Sequence, residues 1–175
     1  MFFSLFRFAF LQKVHTVFFP SNTRRRVSML RVLVLYYSRS GNTEKMANAV
    51  AEGVKSVGST EVAVEYHVDA DDFANFDAII VGVPTYHHEA PMDVKRLFEE
   101  AAEKGVSLKG KIGAAFGSYG WSGEAPKLVL EIMKNRFEIS VTEPPLLAKY
   151  SLDDAGLNAC RTLGKRISES LIQQA

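Results

Sequence analysis

The stretch RVLVLYYSRSGNT, residues 31–43, decides the fold class of this chain. Its first part, 31–37, is a nearly continuous apolar run, as expected for a parallel strand that is covered by helices on both faces. Small polar residues follow, and then Met46, Val50 and Val54 recur at helical spacing. The stretch therefore predicts a buried strand, a tight polar loop and a helix.

The same strand and helix pattern repeats along the chain. Nearly continuous apolar runs return at 77–83 and 111–117, whereas 61–68 and 138–143 alternate apolar with polar residues. Continuous runs are typical of interior strands and alternating runs of edge strands. We therefore predict a three-layer α/β/α fold around a doubly wound, five-stranded parallel sheet in the order 2-1-3-4-5.

Three later helices are predicted from apolar stripes that should face the sheet. The stripes are Val94, Leu97 and Ala101; Leu128 and Ile132; and Cys160, Leu163 and Ile167. Pro91 and Pro126 suit first-turn positions, and Ser151 with Asp154 three residues later resembles a capping box.

The composition bounds the possible functions. With 175 residues and 47% apolar content, one domain is expected. Residues 1–28 carry five of the 21 Lys and Arg residues and no acid, so the rest has 16 basic and 20 acidic side chains, a net charge of −4. That charge argues against nucleic acid as a partner.

Residues 1–28 are interpreted as an N-terminal extension. Arg7 and Lys13 interrupt its apolar stretch well before the ~20 residues that a membrane span needs, so no integral span is expected. Three interpretations stay open: upstream sequence before a true start at Met29 or a disordered tail, a targeting or membrane-surface segment, or a segment with a structural role. Cys160 is the single cysteine, which excludes an internal disulfide, suits a reducing compartment and leads us to expect the cytoplasm.

The candidate site lies where doubly wound sheets bind ligands, beyond the carboxyl ends of strands at the point where strand order reverses. The loops that follow strands one, three and four read SRSGNT (38–43), PTYHHEAP (84–91) and GSYGWSGEAP (117–126). Because these strand ends are adjacent, we expect a single ligand to contact all three loops.

The first loop has the chemistry of a phosphate site. Backbone N–H groups around Gly41, the start of the following helix and the hydroxyls of Ser38, Ser40 and Thr43 would cradle a dianion. The absence of G-K-[ST] and of G-x-G-x-x-G excludes the triphosphate and dinucleotide fingerprints, so a monophosphate is indicated. The alternative is a turn with an N-cap and no ligand.

The other two loops supply aromatic side chains for a planar ligand. Tyr86 lies in one loop, and Tyr119 and Trp121 lie in the other. Aromatic faces sandwich flat rings well. Glycines in the third loop are expected to let the backbone approach such a ring closely; they are Gly117, Gly120 and Gly123. The alternative is a packed aromatic cluster at the loop tips.

Together these segments resemble a known family. YYSRSGNTEKMA, DAIIVGVPTY and GSYGWSGEA resemble the three FMN-binding segments of flavodoxins, and the third segment and ACRTLGKRI (159–167) are similar to the flavodoxin module of A-type (flavodiiron) flavoproteins. The resemblance implies that residues 29–175 form one flavodoxin-like domain that binds FMN non-covalently. The implied cofactor-binding residues are Ser38, Arg39, Ser40, Gly41, Asn42, Thr43, Pro84, Thr85, Tyr86, His87, Ser118, Tyr119, Gly120, Trp121, Ser122 and Gly123.

The chain departs from the family in the loop after the third strand. Many flavodoxins place a glycine there, whereas this chain has His87, His88 and Glu89. Either histidine could donate a hydrogen bond to the reduced flavin or offset its charge, because imidazole changes charge near neutral pH. The alternative is an exposed pair of loop residues without a role.

Two functions are compatible with the resemblance. The first is an electron carrier that shuttles electrons from a reductase or ferredoxin-type donor to acceptor proteins and needs no catalytic acid or base. The alternative is an NAD(P)H-dependent, FMN-containing quinone or flavin reductase. Such reductases tend to carry an insertion after the fourth strand, whereas here Gly123 leads directly to a helix at Pro126. A phosphate-receiver module would need acids where Tyr36 and Tyr37 stand.

Overall fold

The computed structural model describes residues 29–85, 88–150 and 152–175. The interpretations of residues 1–28, Tyr86, His87 and Ser151 fall outside these residues. In chain order the elements are β1 Leu30–Tyr36, α1 Asn42–Lys55, β2 Thr60–Glu65, a 3-10 helix Ala70–Asn75, β3 Ala78–Gly82, α2 Met92–Glu103, β4 Ile112–Tyr119, α3 Ala125–Phe137, β5 Ser140–Val141, β6 Leu146–Lys149 and α4 Asp154–Gln174.

The predicted sheet order is confirmed. The strands follow the order β2-β1-β3-β4-β5 and every pairing is parallel. All five residues of β3 and the first seven of β4 are buried, whereas β2 is mostly half-buried or exposed. The continuous apolar runs are therefore interior strands, as their sequence predicts.

The fifth strand differs from the prediction. Instead of one strand over 138–143, two short segments lie along the same edge of β4: Ser140 pairs with Ile112 and Leu146 pairs with Phe116. The sequence between them contains Pro144 and Pro145, which have no N–H group to donate to a strand ladder. Hence the described residues form six strand segments in five positions.

Helices cover both faces of the sheet. One core contains Met46 and Val50 of α1 with Cys160 and Ile167 of α4, and the other contains the buried residues of α2 and α3. The backbones of α1 and α4 touch, because a Cβ at Gly164 would lie 2.0 Å from the Val50 carbonyl oxygen. The α1, α2 and α4 stripes therefore face the sheet as predicted.

The apolar stripe predicted for α3 is wrong. In α3 the buried stripe is Val129, Met133 and Phe137, while Leu128 and Ile132 are half-buried. Burial of Ala125 and Pro126 at the first turn fixes the rotation of that helix. At the start of α4, the Asp153 carboxylate accepts a bond of 2.8 Å from the Gly156 N–H, and Asp153 is the N-cap.

Candidate functional site

The sheet brings the three predicted loops to one edge. Hydrogen bonding continues past the strands, since the Tyr37 N–H donates to the Gly82 carbonyl at 2.8 Å and the Val83 N–H to the Phe116 carbonyl at 2.9 Å. The loops after β1, β3 and β4 therefore start side by side, where a doubly wound sheet binds its ligand.

The loop after β1 turns sharply into α1. Gly41 has a left-handed φ of 82°, and its N–H donates to the Ser38 hydroxyl at 3.1 Å. A residue other than glycine would be strained in this conformation. No side chain in the described part of the chain caps the first turn of α1. The N–H groups of that turn are therefore available to an anion, which the positive end of the helix also attracts.

A buried pair of hydroxyls joins this loop to β4. Thr43 Oγ1 and Ser118 Oγ lie 3.1 Å apart, and the two residues are only 1% and 7% exposed. Each hydroxyl has one proton to donate, and only one of the two protons is used between them. The second proton therefore remains for another acceptor.

Hydrogen bonds join the loop after β3 to the segment 117–126, and one of them runs from the Thr85 N–H to the Ser118 carbonyl at 3.3 Å. The Ala125 N–H donates to Thr85 Oγ1 at 3.2 Å, and His88 Nδ1 lies 2.7 Å from Glu124 Oε2. A hydrogen bond from Ser122 and then one from His88 lower the pKa of the Glu124 carboxyl. Glu124 is therefore ionised at neutral pH.

Tyr150, after β6, is a site residue that sequence reasoning missed. Its N–H donates to the Tyr119 carbonyl at 2.8 Å, and its own carbonyl accepts from the Asn42 side-chain amide at 3.1 Å. It has a left-handed φ of 60°, which is uncommon for a residue with a side chain. The signal available in the sequence was the Pro144 and Pro145 pair, which divides the last strand and carries its second half to this edge.

A cavity of about 150 Å³ opens between these loops. It is lined by Ser40, Asn42, Pro84, Thr85, Ser118, Tyr119, Gly120 and Tyr150. Seven of these eight residues are among those that the sequence analysis selects. Pockets that enclose a whole small ligand typically measure about 300–1,000 Å³, so this cavity suits the anionic end of a larger molecule.

The described cavity lining does not include four other residues that the sequence analysis selects: Arg39, Trp121, Ser122 and Gly123. Arg39 is exposed, and Trp121 is 90% exposed at the tip of the loop after β4. Ser122 and Gly123 are half-buried, and a Cβ at Gly123 would lie 2.9 Å from Leu147 Cδ1. Tyr86 and His87 are outside the described residues.

Gly117 has a packing role that the sequence analysis does not predict. Gly117 is buried within β4, and a Cβ there would lie 1.8 Å from the Val83 carbonyl oxygen. Glycine at this position lets the loop after β3 pass close to β4.

A second cavity, of about 260 Å³, lies beside the ends of β1 and β2 and is lined in part by Tyr36, Tyr37 and Tyr66. The Tyr66 ring centroid is 5.7 Å from that of Tyr36 and 5.4 Å from that of Tyr37. Because these rings already pack against one another, no planar ligand fits between them.

Among the described residues, no group of three or more His, Cys, Asp or Glu side chains is arranged to hold a metal ion. None of the helices in the same part of the chain has the length and apolar character to cross a bilayer.

Comparison with known proteins identifies the family. The flavodoxin family model matches residues 34–164. A type A flavoprotein from Rhodobacter capsulatus is 31% identical over 151 residues, which cover 82% of this chain but 34% of that protein, so the chain spans about a third of its length. A quinone-type NAD(P)H dehydrogenase from Acidovorax ebreus is 40% identical over 113 residues, covering 51% of this chain and 56% of the relative.

The solved structure of a flavodoxin from the domain Archaea has a TM-score of 0.75 and 36% identity, and covers 82% of this chain and 99% of its own. Fold, sequence and the chemistry of the cavity agree: the chain belongs to the flavodoxin family and is a flavodoxin-like FMN redox protein.

Proposed function

We propose that this protein is an electron carrier whose FMN takes electrons from a reductase or ferredoxin-type donor and passes them to acceptor proteins. The observation that supports this proposal is the composition of the cavity wall. None of the described residues that line the cavity is Asp, Glu, His, Lys or Arg. Apart from the phenols of Tyr119 and Tyr150, the described lining offers hydroxyl, amide and backbone groups, which suit the binding of a cofactor better than proton transfer to a substrate.

The loop over 38–43 fits the phosphate end of FMN. First-turn N–H groups of α1, the hydroxyl of Ser40 and the spare proton of the Thr43 and Ser118 pair are donors that no side-chain acceptor among the described residues occupies. Hydrogen bonds to a charged group contribute about 1.5–3 kcal/mol each. These donors would hold a dianion without a lysine in the loop.

The flat ring of FMN would lie at the rim of the cavity, where Trp121 and Tyr119 stand. An indole that is 90% exposed leaves a large apolar surface in water, and stacking against a planar ring would cover it. Tyr86 and His87 are proposed for the opposite side from the sequence alone. When bound, FMN supplies the electron-transfer chemistry, and the protein supplies binding and orientation.

The second candidate is an NAD(P)H-dependent quinone reductase. The similarity to the A. ebreus quinone-type dehydrogenase favours it, although that similarity covers half of this chain. Against it stands the short connection between β4 and α3, residues 120–124. So short a segment leaves little chain to cover a second substrate beside the flavin.

The two candidates are separated by anaerobic kinetics on the purified FMN-loaded protein. A carrier is reduced slowly by NADH or NADPH alone and rapidly once a flavodoxin reductase is added. Steady oxidation of NAD(P)H with a quinone, in the absence of any added reductase, would support the enzyme and overturn the carrier proposal.

A further inference from the structure

A polar contact joins the two loops that flank the proposed ring position. His88, in the loop after β3, places Nδ1 at 2.7 Å from Oε2 of Glu124, in the loop after β4. His88 also has a left-handed φ of 66°. Such a conformation is costly for a residue with a side chain and persists only where the surroundings fix it.

The charges around this contact favour a pair between His88 and Glu124. Lys127 of α3 is the other cation that acts on Glu124. Next to His88, Glu89 is already bound to Lys95 of α2 at 2.6 Å. Glu124 is the carboxylate that lies within hydrogen-bond distance of the imidazole, and it accepts from it.

The contact changes with pH in a defined direction. Glu124 is ionised above its lowered pKa, and imidazole gains its positive charge as the pH falls through the near-neutral range. An ionised carboxylate attracts an imidazolium more strongly than a neutral imidazole, which offers it only an ordinary hydrogen bond.

We propose that His88 and Glu124 are positioning residues that form a pH-dependent tie between the two loops and thereby set the affinity for FMN. This inference rests on the proposed cofactor site. The side chains are 64% and 46% exposed, and exposed ion pairs have small effects. The tie therefore adjusts the affinity and is not essential for binding.

The test compares FMN binding, followed by quenching of flavin fluorescence, in the wild type, His88→Gln, Glu124→Gln and the double variant. At about pH 5.5, each single variant should bind FMN about two- to fivefold more weakly, and the double variant no more weakly than either. At about pH 8 the differences should shrink. Taking ratios to the wild type at each pH removes the titration of the FMN phosphate itself.

Glu89→Gln is the matched control, because it breaks a neighbouring pair that does not cross to the other loop. It should bind FMN like the wild type at both pH values. A His88→Gln variant with wild-type affinity and pH profile, or a Glu89→Gln variant with the same loss, would overturn the tie.

A second readout needs no FMN. In the apoprotein at about pH 5.5, NMR should show a through-space contact between the His88 ring and the Glu124 side chain. If neither the wild type nor any variant bound FMN while this contact was present, the cofactor proposal would be refuted. The contact between the loops would still be supported. Absence of the contact would refute the tie itself.

Discussion

The side-chain amide of Asn42 donates a hydrogen bond of 3.1 Å to the backbone carbonyl of Tyr150, joining the first turn of α1 to the residue after β6. The two residues are 108 positions apart in the chain. Both residues line the small cavity, so this bond fixes Tyr150 beside the proposed phosphate loop, residues 38–43.

Replacing Asn42 with Ala should weaken FMN binding about three- to tenfold, because a hydrogen bond of this kind contributes about 0.5–1.5 kcal/mol. Fluorescence titration of the apoprotein with FMN measures the change. Asn48→Ala is the control, since Asn48 is an exposed residue of the same helix. An Asn42→Ala variant that binds as tightly as the control would show that the bond does not shape the site.

Gly41→Ala should lower both stability and FMN affinity. A left-handed backbone costs a residue with a side chain about 1–2 kcal/mol, so the free energy of unfolding in urea should fall by that amount. Gly58→Ala is a close match: φ is 78° against 82° at Gly41, and neither added Cβ would meet an atom within 4 Å.

Gly58 lies outside the cavity lining and all three candidate loops. The Gly58 variant should therefore lose similar stability while binding FMN normally. Equal FMN affinities for the two variants would contradict a phosphate role for the loop at Gly41.

The buried hydroxyls of Thr43 and Ser118 can be tested by comparing a single with a double substitution. Thr43→Val leaves the Ser118 hydroxyl without its partner, so unfolding should become easier by about 1–3 kcal/mol, and adding Ser118→Ala should recover part of the loss. Both Thr43→Val proteins should bind FMN at least about tenfold more weakly.

Thr60 and Ser168 form a comparable pair at 2.8 Å, buried between α4 and the start of β2. Ser168→Ala should alter stability without altering FMN affinity. If Thr43→Val bound FMN as well as Ser168→Ala does, the proposed phosphate donor would be wrong.

Cys160 should be chemically inert in the folded protein. Burial raises the pKa of its thiol to about 11, so very little of the reactive thiolate forms at about pH 8. Iodoacetamide should label Cys160 in urea and leave the native protein unmodified. Because the folded pKa is the higher one, its contribution to stability is complete below about pH 9 and is lost as the pH rises through about 11. Rapid labelling of the native protein would contradict this burial.

The sequence predicts the sheet order because a strand that is buried on both faces has a nearly continuous run of apolar residues. The runs at 77–83 and 111–117 are of this kind, and both form interior strands. It predicts seven of the eight cavity-lining residues for a related reason, since parallel strands deliver their following loops to one edge.

Other features depend on long-range geometry that local patterns do not record. Tyr150 reaches the cavity because prolines divide the last strand, and no periodicity near residue 150 shows this. Gly117 looked like a loop glycine, whereas its role is set by the Val83 carbonyl at 1.8 Å from a would-be Cβ. In α3 two adjacent apolar stripes compete, and packing at the first turn selects Val129 and Met133.

The loop over 38–43 should bind the phosphate of FMN. Calorimetric titration of the folded apoprotein with FMN and with riboflavin tests this most directly. Two charge-assisted hydrogen bonds to the phosphate, at about 1.5 kcal/mol or more each, would make FMN bind at least about a hundredfold more tightly than riboflavin, with one FMN per chain. Equal affinities for the two flavins, or no binding heat from a chain shown to be folded, would contradict the account.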